Sequence, residues 1–209
     1  MFNENRLTPE RIAVLQNFVA NSDILLMGVT GVGKTTFVEH LQRNVKLRYV
    51  SLGNIVRSEI EYSQNRYIAE LMHNGGVWPF EAIRGLLKPY IEQPTPYVLD
   101  GIPKHQHEAE WLVDHAYARA WPMVAVILKI SIPTAEQRRL ESLKHGNRPE
   151  TSKQIQDRVV SFVENEAILI KTLNSVLRGI IELDVNGITP VTTVNMLADK
   201  LIINQSTYA

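Results

Sequence analysis

The stretch "ILLMGVTGVGKTT", residues 24–36, sets a short aliphatic run directly against a glycine loop that ends in lysine and threonine. Gly28, four residues, then Gly33, Lys34 and Thr35 satisfy the spacing G-x-x-x-x-G-K-[ST], in which backbone N–H groups converge on phosphate oxygens. Residue frequencies alone would produce the four fixed positions in roughly one chain of this length in a hundred. Context therefore decides: apolar residues just upstream read as a buried strand, and helix-compatible residues just downstream as the helix whose positive end faces the anion. Gly28, Val29, Thr30, Gly31, Val32, Gly33, Lys34, Thr35 and Thr36 are the expected seat of a nucleoside triphosphate, with Lys34 as a point charge on the β and γ positions and Thr35 as a magnesium ligand. The loop does not say whether the nucleotide is hydrolysed, switches a conformation or gives up a phosphoryl group.

Outward from the loop, strands and helices alternate. Thr8, Pro9 and Glu10 carry the chemistry of a helix start, and Ile12, Leu15, Phe18 and Val19 share one helical face. "LRYVSL" (47–52), "YVLDGI" (97–102), "VAVILKISI" (124–132) and "IIELDVNG" (180–187) read as further strands. Helices are expected to Gln42, over 53–92, from about His107 to Ala118, through 134–178, and from Pro190 to about Ile203. This pattern predicts an α/β fold, a mostly parallel five-stranded sheet covered on both faces in three layers.

Composition narrows the function. The 209 residues hold 22 Lys plus Arg and 22 Asp plus Glu, so no overall field draws the chain to nucleic acid or an anionic membrane. There is no cysteine, which removes disulfides, thiolate nucleophiles and thiolate metal sites. No apolar run is long enough to span a bilayer and the first residues lack an apolar signal core, so a cytoplasmic monomer is expected.

Downstream, "YVLDGIPKHQHEA" (97–109) ends a strand with an acid at its C-terminal edge, where open α/β sheets bind ligands. Asp100 is placed to hold the water shell of a magnesium ion. With Gly101, Ile102, Pro103, Lys104, Glu108 and Ala109, the segment resembles the D-G-[FY]-P-R and Q-A motifs of the adenylate kinase family of nucleoside monophosphate kinases. "VSLGNIVR" (50–57) is similar to that family's I-S-T-G-D-x-x-R, "GGVWPFEAI" (75–83) to G-x-L-V-P-D-E, and "NRPETSKQIQDR" (147–158) to G-R-x-D-D with a second arginine. The resemblance runs from about Asp23 to Leu201. It implies a P-loop core from residue 22 onward behind an N-terminal helix (1–21), a helical acceptor-binding insertion at 53–94, and a short lid at 138–148, too short for a metal-binding finger. It further implies ATP with magnesium as donor, a nucleoside monophosphate as acceptor, and two diphosphates as products.

The resemblance makes Arg57 the grip on the acceptor's phosphate and Arg148 and Arg158 the clasp on the phosphates in transit, with Lys34 and Lys104 completing the catalytic cations. Arg138 and Arg139 are not told apart by sequence; Arg139 is taken with the donor contacts. Leu52, Val77, Trp78, Asp100, Lys104 and Glu108 fall among the acceptor contacts, although Trp78 also suits simple packing. These residue types suit phosphoryl transfer on physical grounds, because that chemistry needs aligned substrates and neutralised charge rather than a protein nucleophile.

Departures from the motifs leave other readings open. Lys104 stands where the family has arginine and offers one compact charge instead of a planar fork. Glu108 replaces a glutamine; an ionised carboxylate only accepts hydrogen bonds and would suit a base with adjacent N–H groups. A P-loop kinase for another small molecule, or a non-catalytic nucleotide-binding regulator, is the alternative. A GTP-specific switch is disfavoured, since no N-K-x-D motif is present. His105, His107 and Glu108 are not expected to hold a metal, as residues two apart on a helix face different ways.

Overall fold

The computed structural model describes residues 7–63, 79–144 and 151–204. Its strands are β1 (Asp23–Met27), β2 (Tyr49–Ser51), β3 (Val98–Asp100), β4 (Met123–Lys129) and β5 (Leu177–Asp184). They form one sheet in the order β2-β3-β1-β4-β5, and every neighbouring pair is parallel. Parallel neighbours require crossovers, here made by helices. Those described are α1 (Pro9–Asn21), α2 (Lys34–Gln42), α3 (Leu52–Ser63), α4 (Phe80–Ile91), α5 (Gln106–Tyr117), α6 (Ile132–Lys144), α7 (Ser152–Leu173) and α8 (Pro190–Ile203).

Strand alternation divides the interior into two cores. Ile24, Leu26, Val124, Val126 and Leu128 face a core shared with Leu15 and Phe18 of α1, Phe37 and Leu41 of α2, and Leu197 and Leu201 of α8. Leu25, Met27, Ala125 and Ile127 face the other, shared with Val56 of α3, Ile83 and Leu87 of α4, Leu112 of α5, and Leu169 and Leu173 of α7. Both faces of β1 and nearly all of β4 are buried, which is why these strands read as continuous aliphatic runs. The three-layer α/β architecture expected from the sequence is the one observed. The chain leaves β1 between β3 and β4, and the crevice at that switch point holds the phosphate loop.

Helix α1 packs on α8 over the first core. Its Thr8 side chain accepts from the Arg11 N–H, and the Arg11 guanidinium pairs with Asp199 at 2.8 and 2.9 Å. Strands β2 and β3 are shorter than the sequence reading, and two further boundaries differ. Strand β4 stops at Lys129, and the apolar Ile130–Ile132 stretch instead leads into α6, where Ser131 O accepts the Ala135 N–H and Pro133 sits in the first turn, a position that needs no N–H donor. Helix α7 ends at Leu173 and β5 begins at Leu177, so Arg178 is a strand residue rather than the end of a helix.

The end of the sheet opposite the phosphate loop is closed by a buried ion pair. Asp23, first in β1, is 1% exposed and accepts from two nitrogens of Arg119, itself 7% exposed. Arg119 also donates to the carbonyls of Ile91, Gln93 and Thr95 at 2.8, 2.9 and 3.0 Å, and stacks over the Tyr97 ring at 5.0 Å. Arg48 reaches the same segment, donating to the carbonyls of Tyr90 and Thr95 and lying 5.5 Å from the Tyr97 centroid. Two arginines therefore hold the turn between α4 and β3 from both sides.

Candidate active site

The phosphate loop takes its shape from glycines at positive φ: Gly28 at 140°, Gly31 at 83° and Gly33 at 102°. Gly31 is also held by contact, since a β-carbon there would lie 2.1 Å from the Ala135 carbonyl oxygen at the start of α6. At Gly33 the same test meets nothing within 4 Å. Gly33→Ala should therefore carry only the backbone penalty, about 1–2 kcal/mol, whereas Gly31→Ala must also push α6 off the loop. The expected result is at least a tenfold larger loss of ATP affinity for Gly31→Ala than for Gly33→Ala, measured by equilibrium titration with a fluorescent ATP analogue.

Gly33 is the N-cap of α2 and supplies no side-chain cap, which leaves the first N–H groups of that helix to an external acceptor. Lys34 Nζ spans the loop, donating to the carbonyls of Gly28 at 2.6 Å and Val29 at 3.2 Å. An ammonium has three protons, so one remains for a phosphate oxygen. Lys34 keeps part of its surface in water, but its ammonium end is enclosed. Lost hydration pulls it below the usual lysine range, Asp100 opposes this, and Lys104 and Arg158 add to the lowering.

Asp100 ends β3 beside β2, where its register partner is Ser51. Its Oδ2 accepts from the Tyr49 hydroxyl at 2.9 Å, while Oδ1 is buried and makes no hydrogen bond within the protein. The Tyr49 hydroxyl also interacts with Ser51 and Thr35, and its pKa is pushed up by burial first and then by the Asp100 charge. A carboxylate oxygen with an unmet acceptor, one hydroxyl away from Thr35, fits a magnesium ion held at Thr35 with Asp100 acting through its water shell. Among the described residues no cluster of three or more His, Asp or Glu side chains could hold a metal directly. Tyr49 was not singled out in the sequence. It lies in a strand at a position that reads as ordinary packing, and only the pairing of β2 with β3 brings it to Asp100. Tyr49→Phe keeps the ring and removes the hydroxyl; the magnesium concentration giving half-maximal transfer should rise about tenfold, with little change in thermal midpoint, in a magnesium titration of initial rate.

The expected cations come from separate segments. Lys104, just beyond β3, is an exposed residue. Lost hydration lowers its pKa first and Arg158 lowers it further, against Glu108 and Asp100. Arg158, on α7, acts electrostatically on both Lys34 and Lys104. Lys34 and Lys104 thus each feel the charges of Asp100 and of Arg158. Arg57, on α3, is half-buried, lies over the backbone of Gly53 and donates to the Asn54 side chain. Arg138 and Arg139 now separate. Arg138 reaches back to the Val185 carbonyl at 3.4 Å, whereas a β-carbon on Gly31 would lie 3.2 Å from Arg139 Cβ, so Arg139 is the one beside the phosphate loop.

Two expected acceptor contacts take different roles. Leu52 is 6% exposed and belongs to the second core, packed against Gly101. Glu108, instead of a free carboxylate facing a base, is 2% exposed and turned onto the start of its own helix. Its Oε2 accepts from the Lys104 N–H at 2.5 Å and the His105 N–H at 3.2 Å, forming a capping box with His105. The spacing of His105 and Glu108 is that of a capping pair, so the signal was present in the sequence. The rings of His105 and His107 stack at 5.7 Å, and that of His107 packs on Phe80 of α4. Val77, Trp78 and Arg148, with part of the acceptor-binding insertion and of the lid, lie outside the described residues.

A glycine-lined loop leading into a helix N-terminus, at the switch point of a parallel sheet with an acid on the next strand, defines a P-loop phosphate-binding protein. The family model described as "AAA domain" matches residues 27–156, and the chain belongs to that family of P-loop proteins. Among curated proteins it is similar to an adenylate kinase of Encephalitozoon cuniculi, 32% identical over 95 residues, which cover 44% of this chain and 54% of the relative. An adenylate kinase of Streptomyces avermitilis is 30% identical over 120 residues, 54% of this chain and 53% of the relative. A GTP:AMP phosphotransferase of Plasmodium falciparum is 27% identical over 97 residues, 43% and 42% of the two chains. These matches bear out the resemblance read from the motifs, and they span about half the length of each relative.

Proposed function

We propose that this protein transfers the γ-phosphoryl group of ATP to a nucleoside monophosphate, releasing two nucleoside diphosphates. The observation that carries the reading is the phosphate loop with Lys34 across it and the unpaired Asp100 carboxylate oxygen on the neighbouring strand, with the charges of Lys104 and Arg158 bearing on Lys34. Cations crowded in this way repel one another unless a polyanion lies between them. Phosphoryl transfer demands that arrangement, since its barrier falls by alignment and charge neutralisation.

In this reading the loop N–H groups and Lys34 seat the β- and γ-phosphates, with Arg139 beside them. Arg57 tethers the acceptor phosphate, and Lys104 and Arg158 bear on the group in flight. Thr35 and Asp100 are the residues that would hold magnesium, which would supply positive charge against that developing in the transfer. Arg148 completes the clasp as the motif implies. Similarity to adenylate kinases and to a phosphotransferase named for AMP supports AMP as the first acceptor to try. With Glu108 committed to its helix cap, its carboxylate gives no preference for a base with adjacent N–H groups. A monomer in the cytoplasm fits this reading; among the described residues no helix is long and apolar enough to cross a membrane.

The test is a coupled ADP-release assay with ATP, magnesium and each of AMP, CMP, UMP, GMP and dTMP. At least one monophosphate should raise ADP release well above the ATP-only rate, and Arg57→Ala should raise the KM for that acceptor at least tenfold. ATP binding without stimulation by any monophosphate would instead favour the kinase of another small molecule or the silent binder.

A further inference from the structure

The loops that leave β4 and β5 are fastened to each other by a three-residue clasp. Asn186 donates twice to Asp184 Oδ1, through its backbone N–H at 2.9 Å and its side-chain amide at 2.6 Å. Its own Oδ1 accepts the Ser131 N–H at 2.9 Å. A second tie lies alongside, where the Val185 N–H donates to the Lys129 carbonyl at 2.8 Å. The two donors from Asn186 favour the ionised form of Asp184 and hold its pKa below the ordinary carboxylate value.

Ser131 is where the clasp meets the phosphate loop. Its carbonyl accepts the Ala135 N–H at 3.0 Å, the first helical bond of α6, and its hydroxyl pairs with Thr134 at 2.6 Å. Ala135, fully buried, presents its carbonyl to Gly31, and Arg139 lies one turn further along against the same glycine. On the other side of the loop, the Leu128 carbonyl backs Gly28, where a β-carbon would meet it at 2.7 Å. The back wall of the phosphate loop is therefore the exit of β4 and the first turn of α6. Whatever sets the path of the chain between them sets the loop.

We infer that Asn186 is a positioning residue for the triphosphate seat: by bridging Asp184 and Ser131 it holds the start of α6, and with it Arg139, against the phosphate loop. This rests on the reading that the loop binds ATP, but not on transfer to a monophosphate. Asn186 and Asp184 are exposed, and their hydrogen bonds join the exits of β4 and β5, so losing the clasp should affect donor and acceptor unequally.

The test compares the unaltered protein with Asn186→Ala, Asn186→Asp, and the exchanged pair Asp184→Asn/Asn186→Asp. Each is titrated with a fluorescent ATP analogue, and the KM for the preferred monophosphate is measured alongside. Asn186→Ala should weaken ATP binding about tenfold with the acceptor KM unchanged. Asn186→Asp should bind ATP as poorly, since it sets two carboxylates against each other. The exchanged pair should recover most of the affinity, because an amide at 184 can again donate to a carboxylate at 186 that accepts from Ser131. If Asn186→Ala does not fold, the exchanged pair against Asn186→Asp carries the same comparison. Equal ATP affinity in all proteins, or equal losses in Asn186→Asp and the exchanged pair, overturns the inference while leaving the ATP reading standing. Failure of the unaltered protein to bind ATP overturns both.

Discussion

Lys34→Met is expected to lower the rate of phosphoryl transfer about 10²–10³-fold, the usual consequence of removing one preorganised charge aimed at the transition state. Methionine has nearly the length of lysine and keeps the aliphatic stem in place, so the change isolates the ammonium. In the folded protein that ammonium is held by the carbonyls of Gly28 and Val29. Its loss leaves the carbonyls of two buried residues without that donor, so the thermal midpoint should fall as well. The measurement is kcat at saturating ATP and acceptor, alongside a thermal melt. The split between kcat and affinity is informative: backbone N–H groups and the α2 terminus still bind phosphate in the variant, so ATP affinity should fall less than kcat. A variant with kcat within threefold of the unaltered protein would place the transferred group away from Lys34, and with it the whole reading of the cleft.

How much of this was visible in the sequence depends on how local the cause is. The phosphate loop is legible because each feature is a property of the residue itself: glycine admits positive φ, lysine brings a charge, and the strand before them is aliphatic on both faces. The acid ending β3 was legible for the same reason. Contacts set by sheet order were not. Tyr49 meets Asp100, and Arg119 meets Asp23, only because particular strands are neighbours, and periodicity carries no information about neighbours. Asn186 reads as a turn residue before Gly187, and its bond to Ser131 exists only because β5 lies beside β4. The difference at the end of β4 has a local origin. Runs such as "KISI" are apolar enough to extend a strand, whereas the Ser131 carbonyl accepts the Ala135 N–H and Pro133 takes the first turn of a helix.

Arg119→Met should lower the free energy of unfolding by about 3–5 kcal/mol, the range found when one partner of a buried ion pair is removed. In a protein of this size that amounts to a fall in thermal midpoint on the order of 10 °C. Two effects add: Asp23 is left at 1% exposure without its countercharge, and the carbonyls of Ile91 and Gln93 lose a donor, that of Thr95 keeping Arg48. The double variant Asp23→Leu/Arg119→Met removes the stranded carboxylate as well, so it should be more stable than Arg119→Met alone, and a double-mutant cycle measures the difference. The pH dependence has a definite sign. Burial pushes the Asp23 carboxyl above its ordinary value even though Arg119 draws it down. A carboxyl whose folded pKa is raised favours the folded state when protonated, and that contribution is lost as pH rises through the folded pKa. Removing Arg119 takes away the lowering influence and extends this window upward. The deficit of Arg119→Met relative to the unaltered protein should therefore shrink as pH falls from 7 toward 5, in denaturant titrations at each pH. A deficit that grows on acidification would mean that the carboxylate at Asp23 finds another cation when Arg119 is gone, and the nearest candidate is Arg48, already packed on the same tyrosine.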